Sequence, residues 1–169
     1  MQIYKASLDK TTAWTSIGFT ALILALIIKI IFVLQNNNFV AQDAPMYFFI
    51  IVILIGIWVI SFLRQIKYYS LSDEYLIIQT RWEKINIPIA EIIKIEPLNL
   101  LPFSSVKNIG RRALFGYRGT YKFPSLGHIS FYASQKKNLI YLQTEKQGNI
   151  IISPDDISLL DDINEKLTH

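Results

Sequence analysis

The sequence predicts an α+β protein, mainly β. A two-helix transmembrane hairpin comes first, followed by an antiparallel β-barrel or sandwich that a C-terminal amphipathic helix closes. Three observations carry this expectation. Residues 14–34 and 44–63 are apolar runs of about 20 residues each, the length a helix needs to cross a hydrocarbon layer of ~30 Å. From Tyr68 onward the apolar period falls to two, the signature of strands. After Ser153 a helical period returns, with one apolar stripe.

The two runs are separated by nine residues, which suits a tight hairpin. A cleaved signal peptide would have an apolar core of only ~7–15 residues and a small-residue cleavage site. Here the first run is longer, and a second follows at once, so both are expected to be genuine spans. Short-loop charges orient them. Lys5 and Lys10 precede the first span, Arg64 and Lys67 follow the second, and the loop between has no Lys or Arg. Both chain ends should therefore be cytoplasmic. Trp14, Tyr47, Tyr68 and Tyr69 fall near span ends, where amphipathic rings settle. Lys29 is the one charge inside a span. Neither span offers it an acidic partner, and Leu34 at the outer end is only ~7–8 Å further along a helix. Lys29 is therefore expected to snorkel rather than to serve an ion path. Ala21 and Ala25 form one small-xxx-small pair, and Gly18 and Gly56 are also small, so the helices can approach closely.

The remaining 106 residues, 64–169, suit one compact domain. The expected division is an anchor over residues 1–67 and a β-rich domain over 68–169. Tyr69 and Leu71 are separated from Leu76, Ile77 and Ile78 by the turn-like Ser72-Asp73-Glu74. Ile85, Ile87 and Ile89 alternate with Asn86 and Pro88, and Pro88 predicts that its strand is an edge or ends there. Ile93 and Ile95 continue the alternation. Residues 97–127 hold three prolines and four glycines and read as a long loop region with one or two strands, such as 119–123. Residues 129–134 and 139–144 flank Gln135-Lys136-Lys137-Asn138 and predict a hairpin. Gln147-Gly148-Asn149 then turns the chain before 150–152, giving an antiparallel meander. Ser153 is the expected N-cap of the closing helix, Pro154 its first residue, and Asp155 and Asp156 suit its positive end. Ile157, Leu160, Ile163 and Leu167 form its stripe. The strand count stays open, as does whether residues 2–8 join the sheet.

Strands, a meander and one closing helix in about 100 residues suggest a pleckstrin-homology-like (PH-like) barrel, and local patterns add to this. The stretch Tyr69-Ser70-Leu71-Ser72-Asp73-Glu74-Tyr75-Leu76-Ile77-Ile78 resembles the opening hairpin of bacterial PH-like domains. Ile87-Pro88-Ile89-Ala90-Glu91-Ile92 resembles their next strand and its exit. Further matches are Arg112-Ala113-Leu114-Phe115-Gly116-Tyr117-Arg118-Gly119-Thr120-Tyr121, Tyr132-Ala133-Ser134, Asn138-Leu139-Ile140 and Ile151-Ile152-Ser153-Pro154-Asp155-Asp156. Together, over residues 65–168, they resemble a membrane-anchored bacterial PH domain family. The resemblance implies the fold and a place in the inner, cytoplasmic membrane of a bacterium. It implies no activity, and it carries over no phosphoinositide motif.

Charge is segregated along the domain. Residues 97–144 hold seven basic residues and no acid, while residues 145–169 carry a net −4. Lys107, Arg111, Arg112, Arg118, Lys122, Lys136 and Lys137 are interleaved with Phe115, Tyr117, Tyr121 and Phe123. Beside an inner leaflet these cations would meet anionic head groups, each contributing ~1 kcal/mol near the surface and less at high salt. The same block could instead be an ordinary basic surface, balanced by the acidic terminal helix. Single-strand nucleic acid could also use basic and aromatic residues, but a membrane anchor and the lack of an RNA-binding signature argue against it.

Catalytic chemistry finds little support. There are no cysteines, which removes disulfides, thiolate metal sites and cysteine nucleophiles. His128 and His169 are the only histidines, and His128 has no His or Cys at ligand spacing. No serine sits in a nucleophile elbow. Gly116-Tyr117-Arg118-Gly119 matches neither a P-loop nor a dinucleotide fingerprint. No enzyme, cofactor or metal is expected. The expected role is docking to anionic lipid head groups or to a membrane protein partner. The alternatives are an assembly subunit that uses a sheet edge or the span helices, and more remotely a small membrane enzyme that depends on His128.

Overall fold

The computed structural model describes residues 1–35, 44–98, 112–113, 115–123 and 127–168. Strand β1 (Gln2–Lys5) comes first, then helices α1 (Lys10–Gln35) and α2 (Ala44–Leu63). Strands β2 (Ile66–Leu71), β3 (Tyr75–Thr80) and β4 (Lys84–Pro88) follow, then a single 3-10 turn at Ile89–Glu91 and β5 (Ile92–Pro97). The short β6 (Arg112–Ala113) leads to β7 (Gly116–Phe123), β8 (Gly127–Ala133), β9 (Ile140–Thr144) and β10 (Gly148–Ile152). Helix α3 (Ser158–Thr168) ends the described chain.

Both long helices are apolar enough to cross a membrane, over Lys10–Phe32 and Pro45–Leu63. In the most apolar window of α2, 0 % of the residues are buried within the protein, so it is not the core helix of a globular domain. Where α1 and α2 meet, the Trp58 indole donates to the Thr20 hydroxyl at 2.9 Å. Asp9 starts α1 as its cap, accepting from the Thr12 amide at 2.6 Å.

The strands form two sheets, ordered β1-β2-β3-β4 and β5-β9-β10-β8-β7-β6. No strand pairing joins them among the described residues, so of the expected barrel or sandwich the barrel is corrected: the sheets are not closed into one and share one core as two layers. Both sheets contribute to one core, with Tyr69, Leu71, Leu76, Ile78 and Ile87 from the first and Ile140, Leu142, Ile150 and Ile152 from the second. Strict alternation sends Ile129, Phe131, Tyr141 and Ile151 to a second cluster on the other face of the six-stranded sheet. Pro88 does end an edge strand, β4, as its missing N–H requires.

Two further expectations are corrected. The 129–134 and 139–144 segments do not form a hairpin, because β10 inserts between β8 and β9. It runs parallel to β8 and antiparallel to β9. Ile150, Ile151 and Ile152 are consecutive and all buried, which only a central strand with two apolar faces permits. The terminal helix starts at Ser158, not at Ser153. The Ser153 hydroxyl is buried and accepts from the Ser134 and Gln135 amides at 2.8 and 3.2 Å, pinning the β8–β9 connection. Consequently Leu159 and Ile163 face the core with Leu160 beside them, while Ile157 and Leu167 are exposed.

The N-terminal residues belong to the sheet. Gln2, Ile3, Tyr4 and Lys5 pair antiparallel with Leu71, Ser70, Tyr69 and Tyr68. The helical hairpin is thus inserted between two neighbouring strands. Beyond β1, Ser7 donates from its amide and hydroxyl to Asp155 at 2.8 and 2.6 Å, and the Asp155 amide donates to the Lys5 carbonyl at 2.9 Å. The Tyr4 hydroxyl donates to Asp162 of α3, and Lys166 pairs with Asp73 of the β2–β3 turn at 2.6 Å. Burial and the Asp162 carboxylate together push the Tyr4 phenol well above its ordinary pKa.

Candidate functional site

Among the described residues, charged and aromatic side chains gather on the face where the domain meets the feet of the two helices. Two features bring the foot of α2 onto this face. The β3–β4 turn is tight because the Thr80 hydroxyl donates to the Glu83 carbonyl and accepts from the Glu83 amide, both at 2.8 Å. That turn then docks on the end of α2. The Trp82 amide donates to the Leu63 carbonyl at 3.1 Å, satisfying an orphan acceptor of the helix end. The Arg81 amide and guanidinium both reach Gln65, at 3.1 and 3.0 Å.

An aromatic collar surrounds this junction. Trp58 and Phe62 stack with centroids 5.3 Å apart. Phe115 meets them edge-on at 6.1 and 5.5 Å. The Arg81 guanidinium lies 4.2 Å from the Phe62 ring centre, a cation–π contact. Trp82 is 75 % exposed beside the last carbonyl of α2.

Arg118 is the central cation. Its β7 backbone pairs with Tyr132 of β8, and its guanidinium lies 5.4 Å from the Tyr132 ring centre. Its Nη2 forms an ion pair with Glu83 of the β3–β4 turn, linking the two sheets. Its Nη1 is shut off from solvent and has no hydrogen-bond partner among the described residues. Burial lowers the Arg118 pKa, the Tyr132 hydroxyl opposes this, and the positive Arg64 adds to the lowering. Arg118, Arg64, Ser61, Phe115 and the neighbouring backbone line a pocket of about 250 Å³. Gly116 shapes its wall with φ +135°, and a Cβ there would come within 3.1 Å of the Ala133 carbonyl.

The foot of α1 has its own cation. Lys136 lies 5.8 Å from the Tyr117 ring centre, and the Tyr117 hydroxyl donates to Asp9 at 3.1 Å. Burial alone would raise Asp9, but hydrogen bonds from Thr12 and Tyr117 and the charge of Lys136 hold it below its ordinary pKa.

Of the basic residues singled out in the sequence, Arg118 and Lys136 therefore sit near the feet of the helices. Lys137 is exposed in the β8–β9 connection. Arg112 lies in β6 and Lys122 in β7, and their side chains are outside the described residues. Lys107 and Arg111 also lie outside the described residues. Sequence reasoning missed Arg81, Trp82 and Glu83 as members of this face. Their signal was a tryptophan between opposite charges in a hairpin turn, where no core would claim it. His128 is exposed at the start of β8. Among the described residues no group of three or more His, Asp or Glu could hold a metal.

A family model described as Bacterial PH domain matches residues 67–167 of this sequence. No curated protein and no solved structure matches the chain.

Proposed function

The chain belongs to the bacterial PH domain family, and from that premise we propose that it is a non-catalytic module, anchored by its hairpin in a bacterial inner membrane, that docks to anionic lipid head groups. The proposed division is an anchor over residues 1–67, whose β1 nevertheless pairs into the domain's sheet, and a PH-like domain over residues 68–169, with both chain ends cytoplasmic. A PH domain is an interaction module, which supports a role without catalysis. The observation that carries the reading is the hydrogen-bonded seat of the domain against the helix feet, with Arg64, Arg81, Arg118 and Lys136 grouped around it. Cations held there gain ~1 kcal/mol each from an anionic leaflet. Trp82, exposed at the same level, suits the head-group zone. A cleaved signal peptide is disfavoured, because cleavage after α1 would remove β1 from its sheet.

The test uses the full chain in nanodiscs of neutral or anionic lipid at low and high salt, with lysine acylation as the footprint. Lys136 should be protected in anionic discs at low salt and exposed in neutral discs. Equal labelling in both would sink the reading. A second reading, assembly with a membrane protein partner through a sheet edge, is supported by β1. It is an edge strand, and its Ile3 is 62 % exposed.

A further inference from the structure

The two rings of the Trp58–Phe115 contact line two different cavities, one each. The first is the Arg64–Arg118 pocket, walled by Phe115. The second, of about 220 Å³, is a groove between α1 and α2 lined by Thr20, Ile23, Leu24, Ile55, Trp58 and Val59. Trp58 lines the groove, and its ring lies edge-on to Phe115, 6.1 Å between centroids. A cationic pocket at the foot of a spanning helix thus adjoins an apolar groove that runs into the span. That combination has the two-part chemistry of one membrane lipid.

We infer that a single anionic phospholipid is bound here, with its phosphate between Arg64 and Arg118 and one acyl chain against the groove. The inference rests on the proposed membrane seat, which sets the foot of α2 at head-group level. Three features fit a phosphodiester. The Arg118 side chain lines the pocket together with Arg64, so two guanidinium groups border the same space. Glu83 takes the Nη2 side, so Arg64, Arg118 and Glu83 together carry one net positive charge, matching one phosphodiester. Guanidinium groups also suit phosphate oxygens better than ammonium groups do. The Ser61 hydroxyl in the lining can donate to a further oxygen.

Native mass spectrometry of the full chain, released from mild detergent with phosphatidylglycerol or phosphatidylcholine, tests this. The intact protein should retain one phosphatidylglycerol and lose phosphatidylcholine. Arg64→Gln should weaken retention about tenfold, the loss of one charge-assisted hydrogen bond. Arg118→Gln should do the same where its melting temperature shows that the fold survives. Ser61→Phe fills the pocket without removing a charge and should also expel the lipid. Lys94→Gln, at an exposed cation of β5 that lines neither cavity, should leave the adduct in place. Equal retention of the two lipids, or an adduct that survives both Arg64→Gln and Ser61→Phe, overturns the site. So does displacement of the lipid by millimolar inorganic phosphate, because free phosphate would then suffice. An adduct lost while the salt-sensitive Lys136 footprint persists sinks this site alone. A persisting adduct without the footprint sinks the docking reading alone.

Discussion

The isoleucines of α2 and those of β10 are the same residue in opposite surroundings. Ile53 and Ile60 of α2 are 45 % and 54 % exposed, whereas Ile151 and Ile152 of β10 are fully buried. A water-soluble domain hides such side chains, and β10 does so by taking the centre of its sheet. Helix α2 leaves them uncovered over a length sufficient to cross a hydrocarbon layer. Hydropathy alone scores both regions as apolar. Only the match between each side chain and its surroundings tells a core from an anchor.

Several substitutions would break or sharpen that contrast. Ile152→Ala should cost the domain about 2–5 kcal/mol by opening a cavity, read as a lowered midpoint in proteolysis-monitored denaturation of the full chain. Ile60→Ala in the same assay should shift stability by less than about 0.5 kcal/mol, and equal losses at the two sites would erase the contrast. Ile53→Lys should oppose insertion of α2 by roughly 2.5–3.5 kcal/mol, measured by reporter tags on the loop between the helices. In chains whose α2 does insert, the domain's own melting should be unchanged, because β1 can still pair with β2.

Tyr69→Phe sharpens the picture on the domain side. The Tyr69 hydroxyl donates to the Tyr132 carbonyl at 2.8 Å and accepts from the Ser153 amide at 3.1 Å. Its loss should cost about 1–3 kcal/mol through the buried groups left unpaired. Burial pushes the Tyr69 pKa from 10.0 to about 12, although the Ser153 contacts pull it down. A raised folded pKa gives stability that is complete below about pH 10 and is lost as pH rises through about 12. The wild type should therefore lose stability across that alkaline window more steeply than Tyr69→Phe.

A smaller effect than at Tyr69 is expected at the junction. Asp9→Ala removes the cap of α1 and should cost about 1 kcal/mol. Because the folded pKa of Asp9 is depressed, its contribution is present at neutral pH and fades as pH falls through that value. Asp9→Ala should accordingly be less acid-sensitive than the wild type in a melting series from pH 7 downward.

Local patterns in the sequence foretold much of this fold. The two apolar runs, the Ser72-Asp73-Glu74 turn, the edge at Pro88 and the alternation in β8 all arise from neighbours in sequence. What stayed hidden was long-range. Gln2–Lys5 is too short to show a period, and its partner β2 lies beyond two helices. The insertion of β10 between β8 and β9 reflects which strand is apolar on both faces, while turn residues suggested a simple hairpin. Ser153 looks like a helix cap by composition, yet its hydroxyl serves the β8–β9 connection. The site was half legible. Charge segregation pointed to Arg118 and Lys136, but the Glu83 pair and the docking of Trp82 on Leu63 depend on how the sheets meet.

The pairing of β1 with β2 has a consequence for biosynthesis. The ribosome releases β1 first, and its partner emerges only after both helices have been made. If the hairpin spans a bilayer as proposed, the four residue pairs between them can form only when both of its ends arrive on the same side. A chain with one helix threaded wrongly would strand β1 across the membrane and leave the β2 edge bare for quality-control proteases to find. Correct threading is thereby recorded in the sheet itself, as a seam that closes only when the topology is right.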